Sequence, residues 1–371
     1  NTTPPSSPAE SPKAKANNNN NEENGLVLTL ATPFAAENLQ ELIAEMQNIT
    51  GVTVKLRIAP EAKIMARLLH KNGEEVPDLI LIPALGLLER AMRANLLQTL
   101  PDSAHPAIAQ AAPTAHDAKY YWVGVARYAY GLAYLTPPDH ELSRYENLAA
   151  PEWRGRVCTP NLSQANERAF MASRLLHLGS ARTSQFFIAM AENDALIADP
   201  AHAGVTRYSS QFTSDQRIRF GLLGGFCDVA LVNSRSLARL TKEFSNNDGN
   251  DATLARQFGS LHLIWPDEEG DNAAHQADGV STDIIGLASP QASRKSERIQ
   301  QAISQVTRYL LSETGQLQLA DGLFAYPIRA GVPLSNEVAR WGPFRADSIG
   351  YDRLLPAFDS LADLIESLTW H

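Results

Sequence analysis

The residues CDVALVNSRSLARL, at positions 227–240, give the clearest indication of the fold. Its first half is a short apolar run of the kind that forms a buried strand, and its second half places Leu237 and Leu240 at helical spacing. Between the two halves lies the turn NSRS, in which Asn233 or Ser234 is suited to be the N-cap of the helix. A buried strand that runs directly into a helix is the basic unit of α/β folds.

The same alternation of strand and helix continues along most of the chain. The residues VTVKLRI at 52–58 alternate apolar and polar side chains, as a half-buried strand does. Apolar residues at helical spacing precede them and end at Gly51. This alternation predicts an α/β fold with parallel strands and helices on both sheet faces. Further elements are predicted as strands at 25–34, 78–82, 120–136 and 280–289, and as helices at 296–313 and 360–370.

Length, charge and motif content narrow the class of protein. The chain has 371 residues, long enough for two or three domains, and carries a net charge of −9. An acidic chain lacks the basic face that nucleic-acid binding requires, so no nucleic-acid partner is expected. No apolar run is long enough to span a membrane. No catalytic or phosphate-binding motif is present, so neither an enzyme nor a cofactor is predicted.

The first 24 residues differ from the rest in composition. They are rich in Pro, Ser, Asn and Ala and have almost no bulky apolar side chains. Such a segment cannot bury enough surface to offset its ordering entropy, so residues 1–24 are predicted to be a disordered tether. A tether would suit a lipoprotein held away from a membrane surface, and a remnant of processing is the alternative.

Several stretches resemble the periplasmic ferric-ion-binding proteins, the solute-binding components of iron ABC importers. The resemblance is carried by YENLAAPEWRGRVC at 145–158, GGFCDVALVN at 224–233, VPDLILIPALGLLERAMRANLLQ at 76–98 and the region 312–347. It implies a two-lobed periplasmic-binding-protein fold of type II, with crossing strands and a ligand cleft between the lobes. It also implies a monomer in the periplasm that works with an ABC permease or a membrane sensor.

The resemblance also implies a division of the chain. Lobe 1 would comprise 25–121 and 279–326, and lobe 2 would comprise 122–278 and 327–371. The chain would cross between lobes near 122–134 and again near 275–280. From the residues alone, Cys158 and Cys227 are either a disulfide of an exported protein or two buried thiols. Both lie where many family members have cysteine, which favours the disulfide.

The chain departs from the family at the iron ligands. The adjacent tyrosines of the family fall on Arg235 and Ser236, its histidine and tyrosine fall near Ala35 and Ala36, and a further tyrosine falls on Ala165. Two unit charges about 4 Å apart interact by roughly 4 kcal/mol at an effective dielectric of about 20, so an arginine in place of a phenolate repels a cation strongly. The sequence therefore predicts that bare ferric ion is not the ligand, and no metal ligand is assigned.

The same turn is suited to an anion. A helix N-terminus offers free N–H groups, and Arg235 adds a planar fork for bidentate pairing with a carboxylate. The alternative is a capped surface helix with a solvated arginine. On the predicted crossing strand, Tyr128 and Tyr130 share one face and either stack on an organic ligand or pack inside the protein. The complete set of predicted ligand-binding residues is Thr32, Arg127, Tyr128, Tyr130, Tyr208, Asn233, Ser234, Arg235 and Ser236.

Three functions fit these residues. The first is a periplasmic solute-binding protein of an ABC importer that takes a small anionic organic ligand. The second retains ferric iron or a ferric chelate through replacement donors, with Tyr128, Tyr130 and Tyr208 as the candidates. The third is a sensor or interaction subunit that has the binding-protein fold and no transport role.

Overall fold

The computed structural model describes residues 25–70, 76–159, 167–195, 213–246, 252–267, 278–293 and 296–367. No helix within these ranges is long and apolar enough to cross a membrane. The strands are β1 Leu26–Thr32, β2 Val52–Ile58, β3 Leu79–Pro83, β4 Leu97–Gln98, β5 Trp122–Tyr134, β6 Val157–Cys158, β7 Val229–Asn233, β8 His262–Ile264, β9 Thr282–Pro290 and β10 Tyr326–Pro327. The helices are α1 Gln40–Thr50, α2 Glu61–His70, α3 Leu85–Arg93, α4 His105–Ala111, α5 Arg168–Leu178, α6 Ser180–Glu192, α7 Ser214–Gln216, α8 Ser234–Ser245, α9 Ala252–Gly259, α10 Glu297–Leu310, α11 Glu313–Leu323, α12 Asn336–Ala339 and α13 Tyr351–Ser367.

The central sheet is mixed, and only part of it matches the predicted parallel arrangement. Its strands lie in the order β2-β1-β3-β9-β5-β7-β6. Strand β1 is parallel to β2 and β3, and β6 is parallel to β7, as strand–helix alternation predicts. Strands β9 and β5 are antiparallel to their neighbours, so the predicted parallel arrangement does not extend to them. The α/β class itself is confirmed.

Strand β5 joins the two parts of the sheet. Its residues Trp122–Ala129 pair with β9, and Tyr130–Tyr134 pair with β7. The strand predicted at 120–136 is therefore confirmed, although it begins at Trp122 because Tyr120 has a φ of 62°. A strand that serves both parts is what a crossing strand requires, and the lobe boundaries given above remain a prediction.

The helices follow the apolar periodicity of the sequence, with one difference at the C-terminus. Helix α10 begins after Ser296, whose side chain accepts from the Ile299 N–H, and it buries the predicted apolar face. Helix α13 was predicted to begin at residue 360 but begins at Tyr351. Pro356 lies inside it and normally indicates a break. The helix continues through the proline because its apolar face, with Leu354 and Leu361 buried, extends over the earlier residues.

The predicted disulfide between Cys158 and Cys227 is confirmed, with Cα atoms 5.8 Å apart. The neighbouring pairing of Cys158 with Ala230 brings the end of β6 beside β7. Gly221 packs directly on the bond, since a Cβ at this position would lie 2.6 Å from the Cys158 Sγ. The disulfide therefore links β6 to the segment that leads into β7, and it helps to hold the turn after β7 in place.

Candidate ligand-binding site

The NSRS turn joins the end of β7 to the start of α8. The Asn233 Oδ1 accepts from the Ser236 N–H at 3.0 Å, so the predicted N-cap is confirmed and is Asn233. The Ser234 Oγ accepts from the Ala129 N–H at 3.0 Å, which fastens the turn to β5. The Asn233 amide donates to the Ser214 Oγ at 3.0 Å. Asn233, Ser234 and Ser236 thus make hydrogen bonds that hold the turn in place. The side chain of the fourth residue, Arg235, extends from this turn.

Arg235 is half-buried, and its guanidinium lies over two aromatic rings. Its guanidinium carbon lies 4.7 Å from the ring centre of Phe34 and 5.9 Å from that of Tyr128, while its Nε donates to the Leu323 carbonyl at 3.0 Å. Among the residues that the structure describes, no carboxylate forms an ion pair with it. Burial lowers the pKa of Arg235 to about 10, so the side chain is still a cation at neutral pH. Of the alternative, a capped surface helix with a solvated arginine, the cap is present and the arginine is half-buried.

Below Arg235, Tyr128 belongs to a buried hydrogen-bond network centred on Asp283. The Tyr128 hydroxyl donates to Asp283 Oδ2 at 3.0 Å. Asp283 Oδ1 accepts from the N–H groups of Leu85, at 3.0 Å, and Ile284, at 2.7 Å. Burial raises the pKa of Asp283 to about 7. Asp283 was not predicted from the sequence, where its only signal is a lone carboxylate within the apolar strand TDIIGLAS.

The rings of Tyr128 and Tyr130 pack inside the protein. They are 3% and 1% exposed, and Tyr130 lies 5.4 Å from Phe170 between ring centres. Burial raises the pKa of both phenols well above the usual range. Of the two alternatives for these rings, the geometry favours packing over stacking on a ligand. As iron donors they would have to lose their protons, which this burial opposes.

The other predicted residues lie in different surroundings. The Thr32 hydroxyl is fully buried and donates to the Leu81 carbonyl at 2.9 Å, so its proton is engaged within the protein. Arg127 is on the opposite face of β5 from Tyr128, with its guanidinium carbon 5.7 Å from the ring centre of Phe344. Tyr208 lies outside the described residues, as do Ala165 and the predicted tether at 1–24. Their roles remain predictions.

The buried ion pair of Arg217 and Glu167 is connected to the turn through Ser214. Arg217 donates from Nε to the Leu231 carbonyl at 3.0 Å and from its terminal nitrogen to the Ser214 Oγ at 2.8 Å. The same nitrogen lies 3.5 Å from the carboxylate of Glu167. Burial raises the pKa of Glu167 and lowers that of Arg217. Ser214 therefore bonds both to Arg217 and to the capping residue Asn233, a connection that the sequence analysis did not find.

A cavity of about 1010 Å³ is lined by α2, α3 and Thr213, the residue before the Ser214 that bonds to Asn233. One wall consists of α2 and α3 with the end of β3, and the other includes Thr213, which caps α7. Parallel sheets bind ligands at the carboxyl ends of their strands, and Pro83, the last residue of β3, lines this cavity. Within the described part of the chain, no group of three or more His, Cys, Asp or Glu residues could hold a metal ion. The turn that carries Arg235 is the candidate site, and its four residues are not among the described residues that line the cavity.

Comparison with known proteins gives relatives over almost the whole length. Iron uptake protein A1 of Synechocystis sp. is 24% identical over 368 residues, which cover 98% of this chain and 92% of the relative. Iron uptake protein A2 of the same organism is 24% identical and covers 85% of this chain and 84% of the relative. No protein-family profile matches the chain.

Solved structures agree on the fold. A Trichodesmium protein in complex with iron and citrate superposes with a TM-score of 0.76 at 20% identity, covering 93% of this chain and all of that chain. The ferric binding protein of Campylobacter jejuni gives a TM-score of 0.74 at 20% identity, with the same coverage. These neighbours confirm the predicted two-lobed periplasmic-binding fold. None of the four proteins is named as an enzyme, in line with the sequence-based expectation.

Proposed function

We propose that this chain, a member of the periplasmic ferric-ion-binding protein family, is a solute-binding protein of an ABC importer that takes a small anionic organic ligand in place of bare ferric ion. The observation that carries the proposal is Arg235, a cation over the rings of Phe34 and Tyr128 without a carboxylate ion pair among the described residues. The resemblance predicts that it stands where the family has adjacent tyrosines. The importer and the periplasmic location are parts of the proposal supported by the relatives.

The electrostatics of the turn favour an anion over a cation. At an effective dielectric of about 20, a unit charge about 4 Å from Arg235 is attracted or repelled by roughly 4 kcal/mol, and the charge of ferric ion multiplies the repulsion. A carboxylate can instead accept two parallel hydrogen bonds from the guanidinium fork. Because the rings of Phe34 and Tyr128 and the Leu323 carbonyl already contact the side chain of Arg235, it loses little conformational freedom when a ligand binds.

A ferric chelate is the second candidate, favoured by one observation. The Trichodesmium neighbour was solved with iron and citrate. In such a complex the organic acid supplies oxygen ligands to the metal and leaves negative charge on its outside. Arg235 would then contact a carboxylate of the chelator, and the protein would need few donors of its own. Both candidates therefore require an organic anion at the turn.

The proposal is tested by calorimetric titration of the full chain with citrate, succinate and ferric citrate. Replacement of Arg235 by Ala is expected to weaken binding at least tenfold, because a hydrogen bond to a charged group contributes about 1.5–3 kcal/mol. The affinity of Arg235→Lys should lie between those of the parent and of Arg235→Ala, since an ammonium cannot pair bidentately. The exposed Arg182 on α6 provides the matched control Arg182→Ala. Equal affinities in all variants would contradict the proposal, and no binding by any anion would favour the sensor or interaction subunit.

A further inference from the structure

Two residues that are distant in sequence hold the side chain of Arg235. Its guanidinium carbon lies 4.7 Å from the ring centre of Phe34, and its Nε donates to the Leu323 carbonyl at 3.0 Å. Phe34 lies just after the end of β1, and Leu323 is the last residue of α11. Both partners are buried. These contacts give the guanidinium a defined position at the start of α8.

The ring of Phe34 is itself held by the end of β1. The Phe34 N–H donates to the Thr32 Oγ1 at 3.4 Å, and the Thr32 hydroxyl donates to the Leu81 carbonyl of β3 at 2.9 Å. The Phe34 side chain also belongs to the main hydrophobic core. A cation within about 6 Å of the centre of an aromatic ring, over its face, is attracted by the ring quadrupole. Phe34 therefore provides a fixed and attractive surface for the guanidinium of Arg235.

The Leu323 carbonyl is suited to accept from a cation. The last four carbonyls of a helix have no partner within the helix, and Leu323 ends α11. The C-terminal end of a helix also carries partial negative charge, which favours a cation there. Lys242, which lies on α8 with Arg235, places its ammonium 5.4 Å from the ring centre of Phe324, the residue after Leu323. Two cations of α8 therefore contact the C-terminal end of α11.

The hydrogen bond to Leu323 leaves the far end of the guanidinium available. Only Nε of Arg235 is engaged, and within the described ranges Nη1 and Nη2 form no hydrogen bond and are not enclosed by the protein. These two nitrogens form a planar fork that matches the two oxygens of a carboxylate. A carboxylate that pairs with Arg235 must therefore approach the guanidinium end-on, since its other edge is occupied.

The contacts of Arg235 connect two parts of the sheet. Strand β1 precedes Phe34 and β7 precedes Arg235, and the two strands are separated in the sheet by β3, β9 and β5. In the predicted division of the chain, Phe34 and Leu323 belong to lobe 1 and Arg235 belongs to lobe 2. A hinge motion that opened the lobes would separate Arg235 from both partners. The guanidinium is therefore held in position only when the two parts are close together.

The geometry points to Phe34 and the Leu323 carbonyl as the groups that position Arg235, so that Nη1 and Nη2 bind the carboxylate of the ligand end-on. The inference rests on the proposed function, because it takes Arg235 as the anion site. It adds a positioning residue, Phe34, and the direction from which the anion binds.

The test is a double-mutant cycle in which succinate is titrated calorimetrically into the full chain. Phe34→Leu keeps an apolar side chain and removes the ring. We expect it to weaken binding about three- to tenfold, because ordering a free arginine side chain on binding costs a comparable factor. In the Arg235→Ala background the same substitution should have no effect, since no guanidinium is left to position. Phe34→Tyr retains the ring and should bind succinate as the parent does.

The control is Phe186→Leu, which removes a ring of similar burial on α6 and should not change the affinity. The direction of binding is tested by nuclear magnetic resonance of the Arg235 Nε–H, assigned by its absence from Arg235→Lys. Because this group donates to Leu323, it should be protected from exchange both with and without succinate.

Two results would overturn the inference and leave the proposed function intact. One is a Phe34→Leu substitution that has the same effect, or none, in both backgrounds. The other is an Nε–H that becomes protected only when succinate is added. Failure of the parent chain to bind both succinate and citrate would instead contradict the proposed function.

Discussion

The buried carboxyl of Asp283 makes the stability of the protein depend on pH in a direction opposite to that of most carboxylates. Its pKa rises from 3.8 to about 7 in the folded protein because burial outweighs the hydrogen bonds from Leu85, Ile284 and Tyr128. Between about pH 4 and pH 7 the unfolded chain has therefore lost this proton while the folded protein retains it. Asp283 does not destabilise the folded protein below about pH 4. The destabilisation grows as the pH rises and is complete once the pH exceeds the folded pKa of about 7.

The size of the effect follows from the same two values. At about 1.4 kcal/mol per pKa unit, the rise from 3.8 to about 7 destabilises the folded state by about 4 kcal/mol above pH 7. Asp283→Asn removes the charge and keeps an oxygen that can accept from the N–H groups of Leu85 and Ile284. We expect the variant to be more stable than the parent by about 2–4 kcal/mol at pH 8 and about equal to it at pH 4.

The assay is urea unfolding of both proteins at pH 4, 6 and 8, with the difference in unfolding free energy plotted against pH. Taking the difference removes every group that the two proteins share. Asp363→Asn is the control, because Asp363 is exposed on α13 and its replacement should leave the difference flat. A difference that does not change with pH, or an Asp283→Asn variant that is less stable at pH 8, would refute the reasoning.

Three further predictions concern other supports of the site. Replacing Cys158 and Cys227 by Ser opens a loop with a sequence separation of 69 and should cost about 4 kcal/mol of unfolding free energy in the chain-entropy account, measured by urea unfolding. Asn233→Ala removes the N-cap of α8 and should cost about 1 kcal/mol, whereas Asn233→Asp keeps an accepting oxygen and should cost less, as thermal unfolding would show. Arg174 is fully buried and lies 2.9 Å from Asp267, whose second arginine partner, Arg144, is 3.3 Å away. Arg174→Met should therefore cost about 1.5–3 kcal/mol by removing the buried charge-assisted hydrogen bond, and a loss below about 1 kcal/mol would contradict this.

The local features of the site were predictable from the sequence. Asn233 is followed by a run with helical periodicity, so its capping role needed no knowledge of the rest of the chain. The disulfide followed from there being only two cysteines in a chain that resembles exported proteins. The crossing strand was found because thirteen residues of β5 form one long run rich in aromatic and apolar side chains.

The contacts that surround Arg235 were not predictable in this way. Asp283 and Tyr128 are 155 residues apart and meet through the antiparallel pairing of β5 with β9. Leu85 reaches Asp283 because β3, which ends two residues before it, pairs with β9 on the other side. Periodicity indicates which residues are buried and cannot identify their partners. For the same reason the alternatives for the Tyr128 ring could be stated from the sequence and separated only by the structure. The antiparallel strands were missed because strand–helix alternation predicts parallel neighbours by default.

Whether the protein binds bare ferric ion is tested by titrating the full chain with ferric ion and bicarbonate, in the absence of organic acids. Binding of ferric ion by phenolates produces a visible charge-transfer band. The resemblance predicts that Arg235 and Ser236 replace the family's adjacent tyrosines, and burial raises the pKa of Tyr128 and Tyr130, so we expect no band at any iron concentration. A band that saturates at one iron per chain would contradict this expectation and would show that other phenolates hold bare ferric ion.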